Sequence, residues 1–139
     1  MYTAFENKIR SLVPFTDEEI EIIGREMKPK FIPKRTVLVN IGDICEYAYF
    51  IISGSIRFFY ISEDGREVTG TIFTENMFAA PHASFLSHIP STYVLESIEE
   101  CNSLSISYSS LQRLYKSIPK MHELVSKLLE QRLSIAHHV

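Results

Sequence analysis

The chain has 139 residues, 45% of them hydrophobic and 22% charged, with a net charge of −3. That is one globular domain's worth of core, too apolar for a disordered chain and without an overall basic field for nucleic acid. There is no Trp, and nine Phe and seven Tyr supply the aromatic bulk.

The opening Met-Tyr-Thr-Ala-Phe-Glu-Asn-Lys has no apolar run of signal-peptide length. No stretch approaches the roughly 18 apolar residues of a membrane span, so no membrane partner is expected. Cys45 and Cys101 lie far apart and form no CxxC. A reduced, cytoplasmic compartment is the simplest expectation.

Tyr2, Phe5, Ile9, Leu12 and Val13 recur at helical spacing and predict a short amphipathic helix that Pro14 ends. Thr16 and Glu19 form a capping box, with Asp17 and Glu18 in the favourable first turn. The second helix carries Ile20, Ile23 and Met27 inward and stops before Pro29. From Lys30 the period changes to two. Phe31, Val37 and Val39 predict strand residues interrupted by Pro33, and Asn40-Ile41-Gly42-Asp43 predicts a turn. Tyr47 to Ile52 is a dense aromatic and β-branched run, turned by Ser53-Gly54-Ser55 into a strand from Ile56 to Ile61. Glu63-Asp64-Gly65 predicts a hairpin turn, and Glu67 to Phe73 the return strand. Tyr93 to Ser97 and Ser103 to Ser107 predict the last two strands. Short strands with regular turns argue for a β-sandwich or roll.

Between those strands, from Met77 to Tyr93, the alternation stops. Small residues cluster (Ala79, Ala80, Ala83, Ser84, Ser87), and Pro81 and Pro90 break any ladder. A short helical turn with small side chains and free backbone N–H groups suits the cradling of a small ligand. The plain alternative is a connecting loop that caps a sheet.

The end is helical again. Ser109 to Tyr115 predicts a short helix, and Pro119 suits the first position of the next. That helix carries Met121, Leu124, Val125, Leu128, Leu129, Leu133, Ile135 and Ala136, a wider apolar stripe than packing on its own sheet needs. A second copy of the chain is the simplest partner for such a stripe, with Leu124, Val125, Leu128, Leu129 and Ile135 as its interface. The alternative is a helix folded back entirely on the roll.

Helices, then short strands with Gly42-Asp43, Tyr49-Phe50-Ile51-Ile52-Ser53-Gly54-Ser55 and Asp64-Gly65-Arg66-Glu67, then a long helix: the whole chain resembles the cyclic-nucleotide-binding sensor domain of the Crp/Fnr transcription regulators. The resemblance implies a mainly β fold, a double-stranded jelly-roll β-roll with flanking helices. It implies a sensor over residues 1–116 and a dimerisation helix over 117–139. In the family a helix-turn-helix DNA reader follows that helix, where this sequence has His137-His138-Val139. Either the chain is the sensor fragment of a longer regulator, or it lacks a DNA reader. The fragment fits better, since a bare sensor has no evident output, and DNA would then be met only through a module not in this chain.

The resemblance also locates the ligand site in the central stretch and exposes a departure there. The family pattern is Phe-Gly-Glu followed several residues on by Arg-Ser/Thr-Ala. The Gly lets backbone approach a phosphate, the Glu accepts from the ribose hydroxyl, and the Arg pairs with the cyclic phosphate. This chain has Phe78-Ala79-Ala80 and Ser91-Thr92-Tyr93, so only Phe78 and Thr92 match. Two charged hydrogen bonds, each worth about 1.5–3 kcal/mol, are missing. Their loss weakens a cyclic nucleotide by roughly 10²–10⁴-fold, and Tyr93 adds bulk where a small residue belongs. The candidate ligand residues are therefore Phe78, Ala79, Ala80, Ser84, Ser91, Thr92 and Tyr93, for an unidentified small-molecule effector that is neither cyclic AMP nor cyclic GMP. By the same resemblance Ala136 and His137 lie where a base would stack. Arg57 and Arg66 are candidate anion partners, with exposed strand arginines as the commoner case.

Other chemistry has less support. Two distant cysteines cannot supply the four thiolates of an iron–sulfur cluster. His82, His88, His122, His137 and His138 show no metal-ligand spacing, so no metal and no cofactor are expected. Ser84, His88 and Glu75 lack a framing catalytic motif, so no enzyme is expected. Cys45, just after a turn, is a weak candidate for a redox-sensing thiol. Two alternatives to the sensor stay open: a cyclic-nucleotide sensor using non-standard contacts, and a ligand-free dimerisation scaffold. Tyr93, Phe85 and Leu86 filling the pocket would favour the scaffold.

Overall fold

The computed structural model describes residues 2–137, with side chains described as far as residue 131. The chain divides into two compact units, one made of Met1–Glu26 with Ser109–Val139 and one of Met27–Tyr108.

The first unit is helical: α1 (Thr3–Leu12), α2 (Asp17–Glu26), α4 (Tyr108–Ser117) and α5 (Lys120–His137), α4 starting one residue earlier, with Tyr108 in the second unit. The capping box forms as the sequence predicts. Glu19 Oε1 accepts from the Thr16 N–H at 2.9 Å, and Thr16 Oγ1 accepts from the Glu19 N–H at 3.2 Å. Both satisfy donors that the start of α2 would otherwise leave open. Three basic side chains bind the late helices to the early ones. Lys120 Nζ donates to Glu19 Oε1 at 2.8 Å and to Pro14 O at 3.0 Å. Lys127 Nζ donates to Leu12 O at 2.8 Å, capping the end of α1, and Arg113 pairs with Glu26 at 2.9 Å. Phe5, Ile9, Ile20, Ile23, Leu114 and Met121 are buried.

The second unit is the roll. Its strands are β1 (Lys28–Ile32), β2 (Val37–Val39), β3 (Tyr47–Ser53), β4 (Ile56–Ile61), β5 (Glu67–Phe73), β6 (Phe78–Ala79), β7 (Val94–Ser97) and β8 (Cys101–Ser107), with α3 (His82–Ser87) between β6 and β7. They form two four-stranded sheets, ordered β1-β8-β3-β6 and β2-β7-β4-β5, with every pair antiparallel. This is the jelly roll that the sequence predicts. Phe50, Ile51, Ile56, Phe73, Leu95 and Leu104 are fully buried.

The turn from β3 to β4 needs its glycine. Gly54 has φ +102, and a Cβ there would collide with Glu100 O and lie 2.7 Å from Cys101 Sγ. Gly65 takes a positive φ of 84 in the β4–β5 hairpin, as the Asp-Gly pair predicts, although the connection is a longer loop closed by Ser62 N–H donating to Arg66 O at 2.8 Å. The β4–β5 register shifts between Phe58 and Phe59, where Thr71 faces Phe58 and Thr69 faces Phe59, leaving Gly70 as the extra residue of a bulge.

Candidate functional site

The stretch from Met77 to Tyr93 is held at both ends by backbone hydrogen bonds. At its start Asn76, in the left-handed region with φ 67, donates its N–H to Ile51 O at 2.8 Å, and the Ile51 N–H donates to Met77 O at 3.0 Å. Phe78 and Ala79 then pair with Phe50 and Tyr49 as the edge strand β6. Pro81 precedes α3, and His88, left-handed at φ 56, ends it. At the far end Pro90 bridges to Ile44, Gly42 N–H donates to Ser91 O at 2.8 Å, and Ser91 N–H donates to Asp43 O at 2.7 Å. The Gly42-Asp43 turn thus holds the second half of the stretch.

The candidate ligand residues gather here, and the two buried serines among them are already engaged. Ser84 is 2% exposed, and its Oγ accepts from the Cys45 N–H at 2.8 Å. Ser91 is 4% exposed; its Oγ donates to Tyr93 O at 2.7 Å and accepts from the Tyr93 N–H at 3.1 Å. Ala79 and Ala80 are buried, Phe78 is half-buried with its ring 5.0 Å from that of Phe50, and Thr92 is exposed. Tyr93 is half-buried and stacks on Phe58 at 4.1 Å between centroids, with Tyr60 edge-on at 5.7 Å. Phe85 is buried, with its ring edge-on to Tyr108, and Leu86 is half-buried.

Other candidates go elsewhere. Arg57 pairs with Glu96 and Glu67, each at 2.9 Å, and lies 3.9 Å over the Phe59 ring. Burial works against its charge, but the hydrogen bonds to Glu96 and Glu67 outweigh this and raise its pKa. Arg66 pairs with Asp64 at 2.8 Å. Arg66 is an exposed residue of the β4–β5 loop and Arg57 a half-buried residue of β4, and each has its charge met by a carboxylate of the same sheet or loop. Cys45 is 1% exposed, and burial pushes its thiol from an ordinary 9.0 up to about 11, the reverse of an activated thiolate. His88 meets Glu46 at 3.1 Å and packs on Tyr108 at 4.2 Å. Sequence reasoning missed that contact, because Glu46 and His88 carry no local pattern that joins them.

The dimer-interface candidates differ in burial. Leu124 is 3% exposed in the single chain, so its own chain already covers it. Val125, Leu128 and Leu129 are half-buried. The side chains of Ile135, Ala136 and His137 lie outside the described residues. Among the described residues no cluster of His, Cys, Asp and Glu could hold a metal ion, and no helix is long and apolar enough to cross a membrane.

The roll with a short helix between its sixth and seventh strands defines a class of ligand-binding module, and the model of that family, the cyclic nucleotide-binding domain, matches residues 29–117. The chain belongs to the cyclic nucleotide-binding domain family. It is similar to the CRP-like protein Clp of Xanthomonas oryzae pv. oryzae, 27% identical over 106 residues, which are 73% of this chain and 46% of that protein. The chain therefore spans about half the length of the curated relatives it matches. The catabolite activator protein of Thermus thermophilus has the same fold, with a TM-score of 0.78 at 18% identity over 94% of this chain and 60% of that one. So does Clp of Xanthomonas campestris, described as a c-di-GMP responsive global regulator, with a TM-score of 0.68 at 24% identity over 85% of this chain and 59% of that one.

Proposed function

We propose that this chain is the ligand-sensing and pairing domain of a Crp/Fnr-like transcription regulator whose cassette does not take cyclic AMP or cyclic GMP. The observation that carries this reading is the stack of Tyr93 on Phe58, beside Ala80 and Ser91 at the family's glutamate and arginine positions. A cyclic phosphate would find no cation at residue 91, where the hydroxyl is bonded to the Tyr93 backbone. The ribose would find no carboxylate at residue 80. The effector is a different small molecule. Its binding shifts the C-terminal helices of a homodimer, paired through Val125, Leu128 and Leu129 with Ile135, and so repositions a DNA reader outside this chain. Such a domain is a binding module of the cytoplasm rather than a catalyst.

A second reading is a scaffold that pairs chains and binds nothing. It is favoured by the Ser84 and Ser91 hydroxyls, both spent on backbone groups, and by the Tyr93 ring.

Native mass spectrometry beside the denatured mass separates the two. A dimer carrying extra non-covalent mass is expected of the sensor, and the added mass would narrow the ligand. A bare dimer that stays bare after incubation with cell extract supports the scaffold. A bare monomer overturns the pairing in both.

A further inference from the structure

An open groove of about 930 Å³ shares no residue with the stretch from Met77 to Tyr93. Lys34 and Arg35 reach it from the β1–β2 loop, Arg57 and Glu96 from β4 and β7, and Glu99 and Glu100 from the β7–β8 loop. Arg57 and Glu96 pair with each other at 2.9 Å, and Glu99 Oε2 accepts from Ser55 Oγ at 2.7 Å. The side chains of Lys34, Arg35 and Glu100 have no hydrogen-bond or ion-pair partner among the described residues. Apart from the Arg57–Glu96 pair, the opposite charges that line this groove, Lys34 and Arg35 against Glu99 and Glu100, do not pair with one another.

Arg35 is the informative member. Its backbone is left-handed, with φ 58, a conformation that Gly or Asn adopts far more readily. The loop beneath it is fixed by Ser97, which is 1% exposed. Ser97 O accepts from the Arg35 N–H at 3.0 Å, Ser97 Oγ accepts from the Thr36 N–H at 2.8 Å, and Ser97 Oγ donates to Pro33 O at 2.6 Å. A strained position held this firmly, with an unspent guanidinium, is the kind of outlier that marks a functional residue.

We propose that this groove binds a zwitterionic ligand of the amino-acid or short-peptide class, its carboxylate on Arg35 and Lys34 and its ammonium on Glu99 and Glu100. The guanidinium fork matches a carboxylate in two parallel hydrogen bonds. A pure anion would also face Glu99 and Glu100, and a pure cation would face Lys34 and Arg35. The groove is open rather than enclosed, which suits a short extended peptide better than a single amino acid.

The test is an NMR titration of the whole chain with triglycine, N-acetyl-triglycine and triglycine amide. Saturable shifts for triglycine are expected in residues 34–37 and 98–100. Blocking either terminus should weaken binding by up to about fivefold, the loss of one exposed ion pair. Arg35→Gly relieves the left-handed strain, so the fold should keep its melting temperature while the preference for a free carboxylate weakens to what Lys34 alone supplies. Glu100→Gln should reduce the preference for a free amine to what Glu99 alone supplies. No saturable shift, equal affinity for the blocked peptides, or an Arg35→Gly variant that binds as before would each overturn the proposal. None of these outcomes bears on the cassette stretch.

Discussion

The ring of Tyr93 lies flat on that of Phe58, with 4.1 Å between centroids and 14° between planes. Phe58 pairs across the sheet with Leu95, which is fully buried, so the stack continues the inward face of β4 and β7 toward Tyr60. Offset aromatic pairs of this kind add to burial. Tyr93→Ala should therefore lower unfolding stability by about 1–3 kcal/mol, less than a fully buried aromatic would cost, as read from urea denaturation. An unchanged midpoint would mean that the ring is not packed as described.

Ser84 is a ligand candidate from the sequence, but its bonding is that of a structural residue. Its hydroxyl satisfies the buried Cys45 N–H. Ser84→Ala leaves that donor unpaired and should cost about 1–3 kcal/mol with or without any ligand. A variant as stable as the parent, measured by thermal unfolding, would free Ser84 for a ligand role.

What the sequence made legible was what depends on near neighbours. The Thr16–Glu19 box, the Asp64-Gly65 turn and the aromatic and β-branched runs of β3 and β4 all rest on residues a few positions apart. The jelly roll followed from these together with the family resemblance. The occupancy of the cassette did not. Tyr93 against Phe58, Ser84 under Cys45 and Glu46 at His88 join residues distant in the chain, and each residue type has commoner uses. Arg35 and Asn76 hold left-handed backbone without a glycine to announce it, so the groove at Arg35 carried no local signal. Leu124 shows the limit of periodicity. A helical stripe gives the apolar face but not which of its residues the chain itself covers.

The buried thiols and phenols set an alkaline limit. Burial pushes Cys45 from 9.0 to about 11 and Tyr49 from 10.0 to about 12. Each folded value lies above the unfolded one, so the fold holds these protons more tightly. Their contribution is present in full below about pH 9 and is lost as pH rises through 11 and 12. The melting temperature should fall across that window. At pH 8 Cys45 should react with a thiol reagent only as fast as the chain opens, and rapid labelling in the folded state would contradict the burial.

Of the apolar residues on α5, Leu124 is buried, and Val125, Leu128 and Leu129 are half-buried and carry the proposed pairing. Leu128→Glu places a charge among Val125, Leu128 and Leu129 without entering the covered position of Leu124. Sedimentation velocity should show the parent as a dimer and the variant as a monomer with its fold retained. A parent that sediments as a monomer would remove the pairing claim.

The central claim is that Ala80, Ser91 and Tyr93 deny this roll a cyclic mononucleotide. Isothermal titration calorimetry of cyclic AMP into the purified chain tests it most directly. The account predicts no saturable heat at ligand concentrations up to about 1 mM, and correspondingly no rise in melting temperature, because only binding to the folded state raises it. Saturable binding of one nucleotide per chain at micromolar concentration would contradict it and would assign the phosphate to contacts other than those the family uses.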